Sequence, residues 1–424
     1  MTADVPRPDL PDETPTPVTA APILGAERIE ALDVLRGLSV LGILLMNIGY
    51  FAAPSAEYMN PAVRGIPQGL NLIVLMITDL LANTKFITLF SLLFGVGIAV
   101  FSERLTARGR KPAGLHYRRM WWLWFIGMIH AYVFWSGDIL VSYAVCGMVV
   151  YLLRNARVRT LMILGCIMII APSITIGGFG AAMPHLPDEI HTQMVAEWQP
   201  AIEDIEAEVE VFRGGWLGQM PMRAEHTIAM QTVVHIVFVA WRSGGLMLLG
   251  MAFLRLGIVT AQRSVRFYTI MAAVGLGLGV PLVGWGMWAN FQHQWSMDFS
   301  MMTGTMFNYF GSLGMAAGYL ALVMLLTKSD AMAGLRHHLS AAGRMAFSNY
   351  LGQTLICTTL FYGHGFGLFD RLERWQLFLL VLVIWALQLL VSPWWLTRFR
   401  FGPMEWAWRS LTYWQRQPMR RTAP

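Results

Sequence analysis

The sequence predicts an all-α, polytopic integral membrane protein with about ten transmembrane helices and both termini in the cytoplasm. Of its 424 residues, 56% are hydrophobic and only 13% are charged, whereas an average soluble protein carries about twice that share of charge. Runs of about 20 mostly apolar residues recur along the chain, and each is long enough to cross a bilayer as a helix. The composition excludes an ordinary soluble enzyme, a disordered chain and a small disulfide scaffold.

Ten apolar segments are predicted as membrane spans. The second, residues 70–101, is unusually long and carries Asp79 and Lys85, so it is either one span or a span preceded by a half-helix. The other nine predicted spans are residues 31–51, 120–136, 139–153, 161–180, 228–254, 267–290, 303–326, 341–361 and 375–391.

The basic residues predict the orientation, because arginine and lysine concentrate in cytoplasmic loops. With the N-terminus inside, only five arginines fall on the outer side: Arg64, Arg213, Arg223, Arg371 and Arg374. The reverse orientation would place nearly all the basic charge outside. The net charge of +6 is therefore explained by topology and requires no nucleic-acid partner.

The polar stretches define the predicted domains. Residues 1–27 hold six prolines and are predicted to form a disordered cytoplasmic tail. Residues 28–392 form the transmembrane domain, and residues 393–424 form a basic cytoplasmic tail. Residues 184–226 carry nine acidic residues against two arginines. This extracytoplasmic segment is either a solvated amphipathic helix over the outer mouth or a lid over an acceptor site.

Ionisable groups inside spans are costly and usually face a cavity or a partner. Asp33 and Arg36 are three residues apart at the start of the first span, so they can pair on one helical face. The pair either anchors the helix end or presents Arg36 to an anion such as a phosphate. Asn47 lies three turns further along the same face, where it either extends a polar stripe or holds helices together.

Two more basic residues interrupt apolar spans. Lys85 either lines a cavity or extends toward the interface at a helix break. Arg242 precedes a run of three small residues, 243–245, which permits close helix packing or a break that lines a cavity.

His130 and Asp138 stand at the turn between the third and fourth spans. A tight turn would bring the carboxylate to the imidazole and orient a histidine general base. The alternative is a buried histidine bonded to a carbonyl, with Asp138 capping the next helix.

The ninth span is polar along one side. Arg344 begins it, and Asn349 and Gln353 are four residues apart on one face. It ends in a glycine-rich loop that contains Tyr362 and His364, which is either a functional element or a simple turn.

Several familiar motifs do not occur in the sequence. There is no H-E-x-x-H, no G-x-S-x-G and no P-loop, so a zinc hydrolase, that type of serine hydrolase and an ATP-driven pump are unsupported. Cys146, Cys166 and Cys357 lie in apolar runs without metal-ligand spacing. We therefore predict no metal site.

A set of motifs resembles the YeiB-like family of bacterial inner-membrane proteins, a domain of unknown function. They include D-V-L-R-G at 33–37, F-W-S-G-D-I-L at 134–140, G-R-M-A-F-S-N-Y at 343–350 and G-P-M-E-W at 402–406. The resemblance extends from about residue 28 to residue 413, and it implies a multi-pass protein of the bacterial cytoplasmic (inner) membrane.

That family is distantly similar to the acyltransferase-3 group and to heparan-glucosaminide N-acetyltransferase. The resemblance implies acyl-coenzyme A as donor substrate and an envelope glycan or lipid as acceptor. The first group has a catalytic histidine where this chain has Asn47, and the second has an asparagine followed by a histidine in the next loop. Residues 48–67 contain no histidine here, so His130 or His364 would supply the base.

The leading hypothesis is acyl transfer from cytoplasmic acyl-coenzyme A to an extracytoplasmic acceptor. His130 would act as base, Asp138 would orient it, and Asn47 or Lys85 would stabilise the oxyanion. The predicted substrate-binding residues are Asp33, Arg36, Lys85, Arg242, Arg344, Asn349, Gln353, Tyr362 and His364.

Two alternatives remain open. One is a permease for a small anionic metabolite, with Asp79, Lys85 and Arg242 lining its path. The other is a helper subunit of envelope biogenesis. The lipid bilayer is a predicted partner, and the sequence is compatible with an oligomer.

Overall fold

A computed structural model describes residues 29–329 and 331–421, so the predicted tail 1–27 lies outside the described residues. The described chain is helical throughout, apart from turns and one isolated β-bridge between Phe399 and Arg420. The all-α prediction is confirmed.

The described residues form seventeen α-helices. They are α1 Glu30–Ala52, α2 Ser55–Met59, α3 Gly69–Leu81, α4 Lys85–Ala107, α5 Ala113–Ile129, α6 Leu140–Val150, α7 Val158–Ala182, α8 Asp188–Trp198, α9 Ile202–Arg213, α10 Met220–Ala229, α11 Ala240–Arg255, α12 Val265–Gln292, α13 Thr305–Lys328, α14 Ala333–Arg344, α15 Ala346–Phe361, α16 Arg374–Arg398 and α17 Pro403–Tyr413.

Five short segments of other helix types join or extend these helices. Two of the π-helical segments directly follow α5 and α10, and the third directly precedes α13. Several helical runs are therefore longer than their α-helical parts. The π-helical segments are His130–Phe134, Met230–Val239 and Asp298–Gly304, and the 3₁₀ segments are Tyr151–Leu153 and Met183–His185.

Seven helical runs in the described part of the chain are long and apolar enough to cross a membrane, which confirms a polytopic membrane protein. These runs are Glu30–Ala52, Gly69–Ala107, Val158–His185, Met220–Arg255, Val265–Gln292, Asp298–Lys328 and Arg374–Arg398. The other three predicted spans correspond to α5, α6 and α15, which have 17, 11 and 16 residues. The total of ten stays a prediction, because α6 and α15 are short for a bilayer and because α5, which its π-helical continuation extends to Phe134, is not among the seven apolar runs.

The long apolar run between residues 69 and 107 is broken in its first half. Helix α3 ends at Leu81 and α4 begins at Lys85, with Thr84 in the left-handed region at φ 63°. At 13 residues α3 is about 20 Å long, shorter than the roughly 30 Å hydrocarbon core. The structure therefore favours the half-helix alternative for this block.

Helices α1 and α14 cross in direct backbone contact. A Cβ on Gly37 would clash with the carbonyl of Leu339, and one on Gly343 would clash with the carbonyl of Asp33. Glycine is therefore required at both positions of this crossing. Because Arg36 and Arg344 directly precede and follow these glycines, the crossing brings both arginines to one end of the bundle.

The C-terminal segment folds back onto the bundle. Helix α16 continues to Arg398, so the predicted domain boundary at 392 falls inside a helix. Helix α17 then packs against α5 and α15. Its Glu405 carboxylate accepts hydrogen bonds from the backbone N–H groups of Phe347 (2.7 Å) and Ser348 (3.1 Å). These belong to the first turn of α15, where a negative charge is favourable.

The acidic segment 184–226 is helical and packs over the opposite end of the bundle. Helix α9 buries Ile205, Val209 and Phe212. Its Glu208 accepts a hydrogen bond from the backbone N–H of Ser55 at 3.0 Å, and the N–H of Gly363 donates to the carbonyl of Phe212 at 2.9 Å. This segment therefore belongs to the folded structure and covers that end.

Candidate functional site

A cavity of about 280 Å³ opens at the end of the bundle where α1, α4, α5, α14 and α17 carry their basic residues. Two carboxylates, those of Asp33 and Glu405, also line it. Among the residues that the structure describes, the arginines in its wall are Arg36, Arg104, Arg108, Arg119, Arg344 and Arg409. Six guanidinium groups against two carboxylates give the cavity mouth an excess of positive charge, which favours a multiply charged anion.

The inner part of the cavity is apolar. Tyr143, Tyr350 and the Ile139–Leu140 pair line the part of the cavity next to the turn that carries Asp138, which we call its closed end. The apolar side chains between mouth and closed end include Val40, Ile43, Phe90, Leu93, Phe94, Val100, Leu123 and Phe347. A basic mouth above an apolar interior suits a ligand with an anionic head and an apolar chain.

The arginines are held in place by their surroundings. Asp33 Oδ1 accepts a hydrogen bond from Arg36 at 3.0 Å, as the spacing predicts. The Arg119 guanidinium lies 4.4 Å from the ring centre of Trp408, and that of Arg409 lies 4.6 Å from the ring centre of Phe401. Stacking on an aromatic ring fixes the plane of a guanidinium group.

Glu405 connects the cavity wall to the fold. Burial raises the pKa of this carboxyl group, while hydrogen bonds from the Ser348 side chain and from the backbone N–H groups of Ser348 and Phe347 oppose that rise. The carboxyl is therefore a structural anchor that places α17, and with it Arg409, beside the cavity.

His130 and Asp138 form a buried pair beyond the closed end of the cavity. His130 Nδ1 is 2.7 Å from Asp138 Oδ1, and Asp138 Oδ2 accepts a hydrogen bond from the backbone N–H of Val141 at 2.9 Å. Both side chains are buried. Asp138 therefore contacts the imidazole with one oxygen and accepts a hydrogen bond from the start of the next helix with the other, so its two predicted roles are compatible. His130 also begins a π-helical segment, a feature frequent at functional sites.

Two residues of α15, one turn apart, lie against His130. The Thr354 hydroxyl oxygen is 2.9 Å from His130 Nε2. The Tyr350 ring centre is 5.4 Å from the imidazole centre, and Tyr350 also lines the cavity. Within the described chain, the buried Tyr350 hydroxyl lies near the backbone of Ile139 without a hydrogen bond of normal geometry. Tyr350 therefore stands between the cavity and the histidine.

The other side of His130 is closed by aromatic residues. Trp135 is buried, lies 6.3 Å from the imidazole by ring centres, and stacks on Phe51 at 4.0 Å. Tyr50 and Ser136 share a hydrogen bond of 3.1 Å beside this stack. Because Phe51 lies about four turns along α1 from Arg36, Trp135 faces the end of the bundle opposite the cavity mouth.

Asn47, Lys85 and Arg242 are outside the cavity wall formed by the described residues. Asn47 is half-buried on α1. Lys85 Nζ donates to the Asp79 carbonyl at 2.7 Å and to Asn308 Oδ1 at 2.6 Å. Arg242 donates to the Tyr309 carbonyl (2.9 Å) and to the hydroxyls of Ser312 and Thr88. The two cations thus join helices α4, α11 and α13, and their role in binding stays a prediction.

The other predicted binding residues divide between the two ends of α15. Arg344, which precedes the helix, lines the cavity. Asn349 and Gln353 instead join α15 to α16, through Ser392 (3.2 Å) and Gln388 (2.9 Å). As far as the structure is described, neither amide lines the cavity.

Tyr362 and His364 follow the far end of α15. Tyr362 packs on Phe212 with ring centres 5.0 Å apart, and the ring of His364 lies 5.9 Å from that of Tyr362. Burial lowers the pKa of His364. Since α15 has 16 residues, about 24 Å of helix separates this loop from Arg344. The structure does not bring His364 together with the cavity or with His130.

Several residues of the site were missed by the sequence reasoning. Arg104, Arg108, Arg119 and Arg409 lie in predicted cytoplasmic segments, where topology alone explains a basic residue. Tyr350 and Glu405 lie in the motifs at 343–350 and 402–406, whose residues other than Arg344 and Asn349 carry no predicted role, and nothing in the sequence distinguishes Thr354 from other buried threonines.

Comparisons with known proteins agree with the resemblance. Residues 253–415 match the family model described as a protein of unknown function, DUF418. The chain is 32% identical over 392 residues to the uncharacterized protein YeiB of Escherichia coli, covering 91% of this chain and 96% of that protein. It is 29% identical over 415 residues to the uncharacterized protein YxaH of Bacillus subtilis, covering 94% and 97%. No solved structure matches this chain.

Proposed function

We propose that this chain, which belongs to the YeiB-like family of membrane proteins of unknown function, is a transmembrane acyltransferase. It would move an acyl group from cytoplasmic acyl-coenzyme A to a hydroxyl or amine of a glycan or lipid across the bacterial cytoplasmic membrane. One observation carries the proposal. A cavity with six arginines at its mouth and an apolar interior is lined by Tyr350, and Tyr350 in turn contacts His130 of the buried His130–Asp138 pair.

The cavity suits the chemistry of the donor. Coenzyme A presents several phosphate charges, and guanidinium groups bind phosphate oxygens through paired, charge-assisted hydrogen bonds. The apolar interior would take the pantetheine arm and the acyl chain. A donor bound in this way would bring its thioester toward Tyr350 at the closed end.

The reacting groups would then come from three residues. His130 would act as general base, and Asp138 would fix its tautomer through the 2.7 Å contact with Nδ1. The Tyr350 hydroxyl is the best placed donor to the oxyanion, because it is buried, lines the cavity and lacks a hydrogen bond of normal geometry within the described chain. Tyr350 replaces Asn47 and Lys85 in this role.

A direct test is binding of acetyl-coenzyme A to the purified protein in nanodiscs. We expect Arg344→Gln and Arg409→Gln each to weaken binding at least tenfold, since one charge-assisted hydrogen bond is worth about 1.5–3 kcal/mol. Arg266→Gln is the matched control, because Arg266 is an exposed arginine of the predicted inner side. Absence of binding to the folded wild type, or equal affinity in all variants, would overturn the proposal.

The permease hypothesis gains no support from the cavity. Asp79, Lys85 and Arg242 are not among the described residues that line it. Proteoliposomes separate the two hypotheses: appearance of an anionic metabolite inside, without release of free coenzyme A, would favour transport, whereas thiol release would favour acyl transfer.

A further inference from the structure

We propose that Thr354 is the nucleophile of this reaction and carries the acyl group as a covalent threonine ester between the two half-reactions. This inference rests on the proposed acyltransferase function. The observation behind it is a buried chain of hydrogen bonds, Asp138–His130–Thr354, in which the imidazole contacts a carboxylate on one nitrogen and a hydroxyl on the other.

The three side chains come from three separate parts of the sequence. His130 begins the π-helical segment after α5, Asp138 lies in the turn before α6, and Thr354 is in the middle of α15. Their exposed fractions are 3%, 7% and 1%. A nucleophile and base within hydrogen-bond distance, with the base oriented by a third group, is the arrangement that activates a hydroxyl in many acyl-transfer enzymes.

The geometry indicates that the Thr354 hydroxyl, and not an acceptor hydroxyl, is the first proton donor to His130. Nδ1 of His130 is committed to Asp138 at 2.7 Å, so only Nε2 is free to take a proton. Thr354 Oγ1 lies within hydrogen-bond distance of Nε2, at 2.9 Å. An acceptor hydroxyl could reach Nε2 only after Thr354 had left it, and transfer of the acyl group to Thr354 provides that change.

The placement of the site supports two sequential half-reactions. Tyr350 separates His130 from the donor cavity, and Trp135, stacked on Phe51, separates it from the opposite end. A covalent intermediate lets the donor react from one side and the acceptor from the other, without both being bound at once. The bundle then never needs a continuous opening across the membrane.

In the first half-reaction, the Thr354 oxygen attacks the thioester carbonyl carbon while His130 Nε2 takes the hydroxyl proton. The carbon–sulfur bond breaks, and the thiolate leaves with that proton as the free thiol of coenzyme A. In the second half-reaction, His130 takes a proton from the acceptor hydroxyl or amine as it attacks the ester carbonyl. The bond to Thr354 breaks, and the proton returns to the threonine oxygen.

The test is to trap the intermediate by mixing full-length protein in nanodiscs with acetyl- or palmitoyl-coenzyme A in the absence of acceptor. We expect a burst of free thiol equal to the amount of enzyme, and an acyl adduct on the tryptic peptide 345–371 that fragmentation places at position 354. Thr354→Ser should keep the adduct, and Thr354→Val should reduce the burst more than 100-fold. Thr358→Val is the matched control, because Thr358 lies one turn further on the same face, is equally buried and bonds the Thr354 carbonyl.

The outcomes separate this inference from the proposed function. Turnover of acyl-coenzyme A without an adduct, or with full activity in folded Thr354→Val, would overturn the nucleophile and leave the acyltransferase in place. If Thr354→Val fails to fold, the position of the adduct in wild type and Thr354→Ser still decides. A folded wild type that binds no acyl-coenzyme A would overturn both.

Discussion

At the scale of single residues, the two oxygens of the Asp138 carboxylate have separate tasks: one contacts His130 and the other accepts a hydrogen bond from helix α6. Oδ1 contacts the imidazole of His130 and Oδ2 holds the first turn of α6 through Val141. The pair is therefore part of the fold as well as of the proposed chemistry. A substitution at Asp138 that preserves the hydrogen bond to α6 separates the two tasks.

We expect Asp138→Asn to fold normally and to lose acyl-transfer activity. The asparagine oxygen can still accept from Val141, but the amide would donate to His130 and impose the wrong tautomer. Such a change lowers turnover by about 10⁴-fold in a well-studied triad, and coenzyme A release is the measurement. Asp188→Asn, at the exposed start of α8, should have wild-type activity; equal rates in the two variants would contradict the assigned role of Asp138.

Tyr350 and Tyr143 allow a matched comparison within the cavity. Both line it, but the Tyr143 hydroxyl bonds Ser91 at 2.7 Å. We expect Tyr350→Phe to lower turnover about 10²–10³-fold, the usual loss for one oxyanion donor, with unchanged affinity for acetyl-coenzyme A. Tyr143→Phe should mainly lower thermal stability. A Tyr350→Phe enzyme that binds the donor more weakly but turns over normally would show a binding role instead.

At the scale of secondary-structure elements, the crossing of α1 and α14 depends on glycine. We expect Gly343→Ala to lower the thermal stability of the purified protein, because the added methyl would meet the Asp33 carbonyl and overpacking costs about 1–3 kcal/mol. Gly334→Ala, in the first turn of the same helix, has open space around its Cβ and should be neutral or slightly stabilising. If both variants melted at the wild-type temperature, the crossing would be looser than the structure indicates.

The contact between α17 and α15 should give the protein a pH-dependent stability. Burial raises the pKa of Glu405 above its ordinary value of 4.5, so the folded state holds this proton more tightly than the unfolded chain. The associated stabilisation is complete below pH 4.5 and is lost as the pH rises through the folded-state pKa.

Glu405→Gln isolates this effect, because a glutamine oxygen can accept both backbone N–H groups and its amide can donate to Ser348. We expect melting temperatures of the wild type to fall more steeply above pH 4.5 than those of Glu405→Gln. Glu405→Ala should be less stable at every pH, since it removes all three hydrogen bonds. Parallel pH profiles for wild type and Glu405→Gln would show that this carboxyl does not titrate in that range.

At the scale of the whole molecule, the sequence predicted local relationships better than the site. The Asp33–Arg36 pair and the His130–Asp138 contact were predictable, because spacings of three and eight residues restrict where a helix or a tight turn can place side chains. Thr354 is more than 200 residues from His130, and no chain periodicity connects them. The cavity was equally hidden, because its arginines come from five helices and are individually explained by the positive-inside rule.

The polarity of the whole bundle is the premise on which donor and acceptor are assigned to opposite sides. The six cavity arginines lie at one end, and the acidic helix α9 covers the other, as expected if basic residues face the cytoplasm.

Cysteine labelling tests this orientation. Starting from a Cys166→Ser background, which removes the exposed native thiol, we expect Glu203→Cys to react with a membrane-impermeant maleimide in intact cells. Lys111→Cys, exposed at the basic end, should react only after the membrane is permeabilised. The reverse pattern would place the arginine mouth outside, where cytoplasmic acyl-coenzyme A could not reach it, and the acyltransferase proposal would fail together with the orientation.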